Sequence, residues 1–215
     1  LHRVNVSIDT LNPEKFKRLT RWGKVEDVWN GILAAETAGL APIKLNAVVV
    51  RGYNEDDVVD LARLTIDRPW QMRFIEMMPF AGVTDVQMGG VVTAHEIQER
   101  IEDSLGDLQV TNNGKLDGEA RIYRLAGAEG AIGFISPISD PYCDACNRMR
   151  LTADGRFHLC LLNDDELDVK KALRSGGGEP EVAAILLKAV TLKPTGHRLE
   201  EGLSTRDRSM FQIGG

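Results

Sequence analysis

The chain has 215 residues, 43% hydrophobic and 27% charged, enough for one large domain or for a domain with a smaller partner. Its net charge of −6 excludes the basic footprint of a general nucleic-acid binder, and no apolar run reaches membrane-span length. No signal peptide is visible in these residues, and three cysteines in a charged chain point to a reducing, cytoplasmic setting rather than a disulfide framework.

Val4 to Asp9 alternates apolar and polar residues and reads as a strand. Asn12-Pro13-Glu14 supplies an N-cap, a proline at the first helical position and an acid, so a short helix follows, ending near Trp22-Gly23. Val25 to Ala38 is a longer helix with Val28, Ile32, Leu33 and Ala35 on one side, and Gly39 stops it. Ile43 to Val50 has the near-continuous apolar end of a buried parallel strand, a helix follows from Asn54 or Glu55 to Ile66, and Trp70 to Met77 is a third strand. Strand and helix thus repeat, which implies parallel strands and an α/β architecture.

From there the pattern changes. Gly82 to Val92 reads as a loop or irregular hairpin, and Thr93 to Glu96 is a capping box opening a helix to Leu105. Strands are expected over Leu108 to Thr111, Ala120 to Leu125 and Gly133 to Ile138, and helices over Asp164 to Arg174 and, with an amphipathic pattern, Glu179 to Thr191. A boundary between residues 1–80 and 81–215 separates the α/β part from a mixed part.

The most specific stretch is Pro141 to Cys160, which holds all three cysteines. Cys143 and Cys146 form a C-x2-C knuckle, and Cys160 follows after 13 residues. Asp154-Gly155 signals a tight hairpin turn. With Ala153 facing Arg156, Cys160 returns opposite Met149 or Arg148. Arg148 and Arg150 share one strand face by alternation. Three thiolates are one short of a tetrahedral zinc site or of all-cysteine ligation of a [4Fe–4S] cluster. The set suits a cluster with one iron open, a Cys3His zinc site completed by His158, or three buried thiols without metal. On the strands, Lys44 with Asn46, and Arg73, are charged or polar where apolar neighbours predict burial. They either bind an anion or form ion pairs, with Glu76 or Asp9 as nearby candidates. Asp9 and Glu76, near strand ends, are also a possible carboxylate pair, though an unspecific one.

Several stretches together resemble a known family: VNVSID at Val4 to Asp9, KLN at Lys44 to Asn46, RFIEMM at Arg73 to Met78, CDACNRMRL at Cys143 to Leu151 with Cys160, and the terminal Ile213-Gly214-Gly215. They occur in the order of the MoaA family, the radical S-adenosylmethionine (SAM) GTP 3′,8-cyclases of molybdenum-cofactor biosynthesis. The resemblance implies an incomplete TIM-type barrel followed by a smaller α+β C-terminal domain. It implies that an N-terminal C-x3-C-x2-C cluster cleaves SAM, that the resulting radical takes the C3′ hydrogen of GTP, and that C3′ attacks C8. It assigns Cys143, Cys146 and Cys160 to a second [4Fe–4S] cluster, and Lys44, Arg73, Arg148, Met149 and Arg150 to GTP. Ser7 and Met78 match SAM contacts, and Gly214 and Gly215 match a tail that enters the active site. No C-x3-C-x2-C occurs in these 215 residues. The sequence therefore reads as a portion of such an enzyme, inactive by itself, with a homodimer expected from exposed strand edges.

Overall fold

The computed structural model describes residues 1–80, 90–197, 199, 205 and 207–213, excepting the side chain of Asn112. The loop expected over Gly82 to Val92 lies outside these residues as far as position 89, and so do Gly214 and Gly215. The chain divides into two compact units, Leu1–Met77 with Gly89–Pro141, and Tyr142–Gly215 with Met78–Met88.

The first unit is a sheet of six strands with helices. Its elements are β1 (Val4–Ser7), α1 (Pro13–Thr20), α2 (Val25–Thr37), β2 (Ile43–Val49), α3 (Val58–Arg63), β3 (Gln71–Glu76), α4 (Ala94–Leu105), β4 (Leu108–Val110), β5 (Arg121–Leu125) and β6 (Ala131–Ile135). The strand order is β1-β2-β3-β6-β5-β4. The first four run parallel, and β5 and β4 add an antiparallel extension. Residues 94–135, placed with the later part by the sequence pattern, thus extend the sheet begun by β1 to β3.

Local chemistry explains the helix starts. Asn12 accepts hydrogen bonds from the Glu14 and Lys15 amides, and Thr93 and Glu96 form the reciprocal capping box. The third helix is shorter than its periodicity suggests. Residues 51–56 form turns instead, because Asn54 turns its amide group to the Asp9 and Val48 carbonyls and accepts from the Val50 amide. Cross-strand register sorts the sheet into two faces. Leu45, Met72 and Ile132 share one row, and Ala47, Phe74 and Phe134 the next; all six are buried. They join Ile8, Ile32, Leu61, Ile97 and Ile101 in the core. The other face carries Lys44, Asn46, Gln71 and Arg73 beside Val48, Ile75 and Ile135.

The second unit holds a small sheet, β7 (Arg150–Leu151), β8 (Arg156–His158) and β9 (Glu166–Asp168), then α5 (Val169–Arg174) and α6 (Gly178–Leu192). The helix expected from Asp164 begins only at Val169. Glu166–Asp168 pairs with β8 instead, and Asp168 becomes the N-cap, accepting from the Lys171 amide. The hairpin register is shifted by one residue from expectation. Thr152, not Ala153, faces Arg156, with the Thr152 amide donating to the Arg156 carbonyl at 2.9 Å. Three residues turn the chain, and Gly155 takes the positive φ of 82° that such a loop needs. In α6 the amphipathic expectation holds weakly: Ala189 is buried, while Leu187 and Val190 remain exposed.

Candidate functional site

The polar face of the sheet in the first unit is built row by row. Asn5, Lys44, Gln71 and Ala131 are register partners, as are Ser7, Asn46, Arg73 and Gly133 two residues on. Alternation that points Leu45 and Met72 into the core points Lys44 and Arg73 the other way. Both cations are nearly buried. The structure brings them together on one carboxylate that the sequence did not single out. Asp117 Oδ2 accepts from Lys44 Nζ at 2.7 Å and from Arg73 Nη2 at 2.9 Å. Arg73 is further fixed by its Nε donating to Gln71 Oε1 and Nη2 to the Asp117 carbonyl. The ion-pair partner is therefore neither Glu76 nor Asp9.

Those two carboxylates do not meet as a pair. Asp9 accepts from the Val48 amide, and its carboxyl is pushed up by burial. Glu76 accepts from the amides of Ala94, Ile138 and Ser139 and from the Ser139 hydroxyl, so it staples the α4 N-terminus to the 138–139 loop.

Electrostatics in the cation cluster is uneven. Burial pulls the Arg73 guanidinium below its usual value; Asp117 opposes that, while Arg3 adds repulsion. Burial would raise Asp117, but hydrogen bonding and charge from Lys44, then the charge of Arg73, hold it below the usual carboxylate range. Gly133 makes room for this arrangement: a Cβ there would lie 3.1 Å from Arg73 Cγ. Ser7 is exposed on the edge strand of the same face.

The cysteine segment belongs to the second unit. Cys143–Ala145 forms a single turn of 3-10 helix, closed by the Cys146 amide donating to the Cys143 carbonyl. All three cysteines are half-buried and none is in a disulfide. Burial pushes the Cys160 thiol up, and the charges of Cys143 and Cys146 act in the same direction. Burial also raises Tyr142 to about 12, with contributions from all three cysteines. The thiols therefore lie within electrostatic reach of one another. Among the described residues, no three of His, Cys, Asp and Glu are gathered at metal-ligand spacing. Three half-buried thiols have the donor chemistry of three-cysteine ligation, without being gathered at ligand spacing.

Lys193, missed in the sequence, donates from Nζ to the Arg148 carbonyl at 2.8 Å and the Leu159 carbonyl at 3.1 Å. It so ties the backbone after the knuckle to the backbone before Cys160. Arg148 is exposed and Met149 half-buried; Arg150 donates to the Ile213 carbonyl. The His158 ring lies against Glu166, with Nδ1 3.2 Å from Oε1 and a buried Nε2 that has no hydrogen-bond partner among the described residues. Glu166 is also held by Arg208, which reaches Asp154 as well. Met78, also in this unit, accepts from the Phe80 amide through its carbonyl.

The first unit is an α/β structure built on a mixed sheet, and over residues 1–65 the chain matches the Radical SAM superfamily. Over residues 70–199 it matches Molybdenum Cofactor Synthesis C, and the chain belongs to that family. It is 45% identical over 213 residues to a GTP 3′,8-cyclase of Pelotomaculum thermopropionicum, covering 99% of this chain and 65% of the relative. It is 45% identical over 215 residues to one of Moorella thermoacetica and 46% over 219 residues to one of Heliobacterium modesticaldum, in each case 100% of this chain and 66% of the relative. The chain thus spans just under two thirds of these curated relatives. Among the described residues, no helix is long and apolar enough to cross a membrane.

Proposed function

We propose that this chain supplies the GTP-binding portion of a GTP 3′,8-cyclase of molybdenum-cofactor biosynthesis. The observation that carries the reading is the pair of nearly buried cations, Lys44 and Arg73, on the polar face of the parallel strands. Buried cations need anionic partners, and a nucleoside triphosphate supplies several phosphate oxygens that Arg binds in fixed geometry and Lys as a point charge. The relatives' name supports GTP as that nucleotide.

Cys143, Cys146 and Cys160 are the residues that would hold a [4Fe–4S] cluster, and Lys193 holds their two chain segments together. Such a cluster, when bound, supplies a metal site open to a purine. Arg148, Met149 and Arg150 are assigned to GTP, Ser7 and Met78 to SAM, and Gly214 and Gly215 to the active-site tail. Residues 1–80 are assigned to an incomplete barrel, whose sheet residues 94–135 extend, and the segment from Tyr142 onward to the C-terminal domain, in a cytoplasmic homodimer. Lacking a C-x3-C-x2-C motif, these 215 residues by themselves do not cleave SAM.

Anaerobic reconstitution with iron and sulfide, followed by metal analysis and GTP titration, tests the reading. About four irons per chain are expected, with GTP binding that is lost in Arg73→Met. Incubation with SAM and dithionite should give no 5′-deoxyadenosine, and product above background refutes the inactivity. The second reading, a Cys3His zinc module, is favoured by one detail: His158 offers a buried Nε2 while Glu166 holds Nδ1, as a carboxylate does behind a metal-bound histidine. One colourless zinc in place of iron decides for it.

A further inference from the structure

We propose that Asp117 is a displaceable counterion, sitting where an anionic ligand of Lys44 and Arg73 belongs and setting how much negative charge that ligand must bring. The inference rests on the reading of those two cations as the phosphate site.

A single carboxylate oxygen, Oδ2, accepts from both cations. One negative charge therefore faces two positive ones, and Arg3 adds further positive potential. With one counter-charge among the described residues, two nearly buried cations are under-neutralised, which is costly in a low-dielectric setting. A polyphosphate removes the deficit, because it offers separate charged oxygens to Lys44 and to Arg73.

The geometry also makes Asp117 the mobile member. Lys44 and Arg73 lie on central strands, with side chains 7% and 8% exposed, whereas Asp117 is 41% exposed. It projects from a turn closed by backbone pairing of Asp117 with Ala120, in which Gly118 has a φ of 70°. A carboxylate that is already half in water loses little by swinging fully into it. A ligand with one negative charge only replaces what Asp117 provides, and so gains little. A ligand with three or more charges displaces it with profit. Asp117 thereby makes the site selective for polyanions.

The test is calorimetric titration of the full 215-residue chain with inorganic tripolyphosphate, orthophosphate and GTP. Asp117→Asn is expected to bind tripolyphosphate about tenfold more tightly than wild type, as removal of one competing charge at contact distance implies. Its preference for tripolyphosphate over orthophosphate should shrink by a similar factor. Asp117→Glu keeps the charge and should stay within about threefold of wild type. Unchanged or weaker binding by Asp117→Asn overturns the proposal. Arg73→Met separates the two levels. If it still binds tripolyphosphate normally, the phosphate-site reading fails and the counterion role with it. If it loses binding while Asp117→Asn gains none, only the counterion role fails. Should Asp117→Asn not fold, the wild-type amide resonances of Asp117 to Ala120 decide: saturating tripolyphosphate must shift them, and resonances that stay in place overturn the displacement.

Discussion

Both units concentrate charge on the polar side of a sheet, and they balance it differently. In the first unit two buried cations share one carboxylate, Asp117. In the second, Arg156 and Arg208 are met by three carboxylates, Asp154, Glu166 and Asp168. With three carboxylates for two arginines, the second network meets every cation from within, so its arginines need no outside anion and act in stability. An under-neutralised network awaits a ligand. Stability and binding should therefore respond oppositely to mutation in the two places.

The largest loss of stability is expected in the second unit's network. Arg208 donates through Nε and Nη2 to both oxygens of Glu166, which is mostly buried. Arg208→Met leaves that carboxylate to His158 and a more distant Arg156, and should cost about 2 kcal/mol. Trp22, Trp29 and Trp70 all lie in the first unit, so their fluorescence is blind to this change. Faster hydrogen exchange at the amides of β8 is the appropriate readout. The same variant should flatten the acid limb of stability. Hydrogen bonds from Arg208 and Thr152 hold Asp154 well below its ordinary 3.8. A depressed carboxylate stabilises fully above its unfolded value and loses that contribution as pH falls from 3.8 through the folded value. Wild type should lose β8 protection between about pH 4 and pH 2, and Arg208→Met should lose less there. An equal loss in both would remove Asp154 from the network.

A smaller effect is expected at Lys193. Its two hydrogen bonds to carbonyls join the chain on either side of the knuckle. Lys193→Met should cost about 1 kcal/mol, and reconstitution should yield less than the wild-type iron per chain. Full iron loading in this variant would show that the cysteines need no such tie.

How far these features could be read in advance follows from sequence distance. The caps at Asn12 and Thr93 were legible because donor and acceptor lie within three residues. The placing of Lys44 and Arg73 on a polar face was legible because strand alternation is local. Asp117 was not, since it lies 73 residues from Lys44 and 44 from Arg73 and only the pairing of β5 with β6 brings its turn near. The β8–β9 pairing was missed because Glu166 and Asp168 are poor strand formers. They are stabilised there by cross-strand arginine and histidine, which local propensity does not register. The one-residue hairpin shift has the same origin: Asp154-Gly155 signals a turn, but the Thr152 hydroxyl, accepting from the Arg156 amide at 2.9 Å, selects the three-residue loop.

The smallest change sharpens the contrast most. Gly133 lies beside Arg73 in the register, and a Cβ there would sit 3.1 Å from Arg73 Cγ, 3.1 Å from Ile122 Cδ1 and 3.2 Å from Ala120 Cβ. Each contact requires a shift of a few tenths of an ångström, and Arg73 is the most able to yield because its long stem is flexible. Gly133→Ala should therefore alter stability by less than about 1 kcal/mol, since the gain in strand propensity offsets part of the crowding. It should still weaken tripolyphosphate binding about threefold or more, because a guanidinium moved off its Gln71 and Asp117 partners no longer presents its donors in the same direction. Unchanged tryptophan-monitored stability with weakened binding would separate position from charge in the cation cluster. Weakened stability with unchanged binding would place Gly133 in packing alone and leave Arg73 indifferent to it.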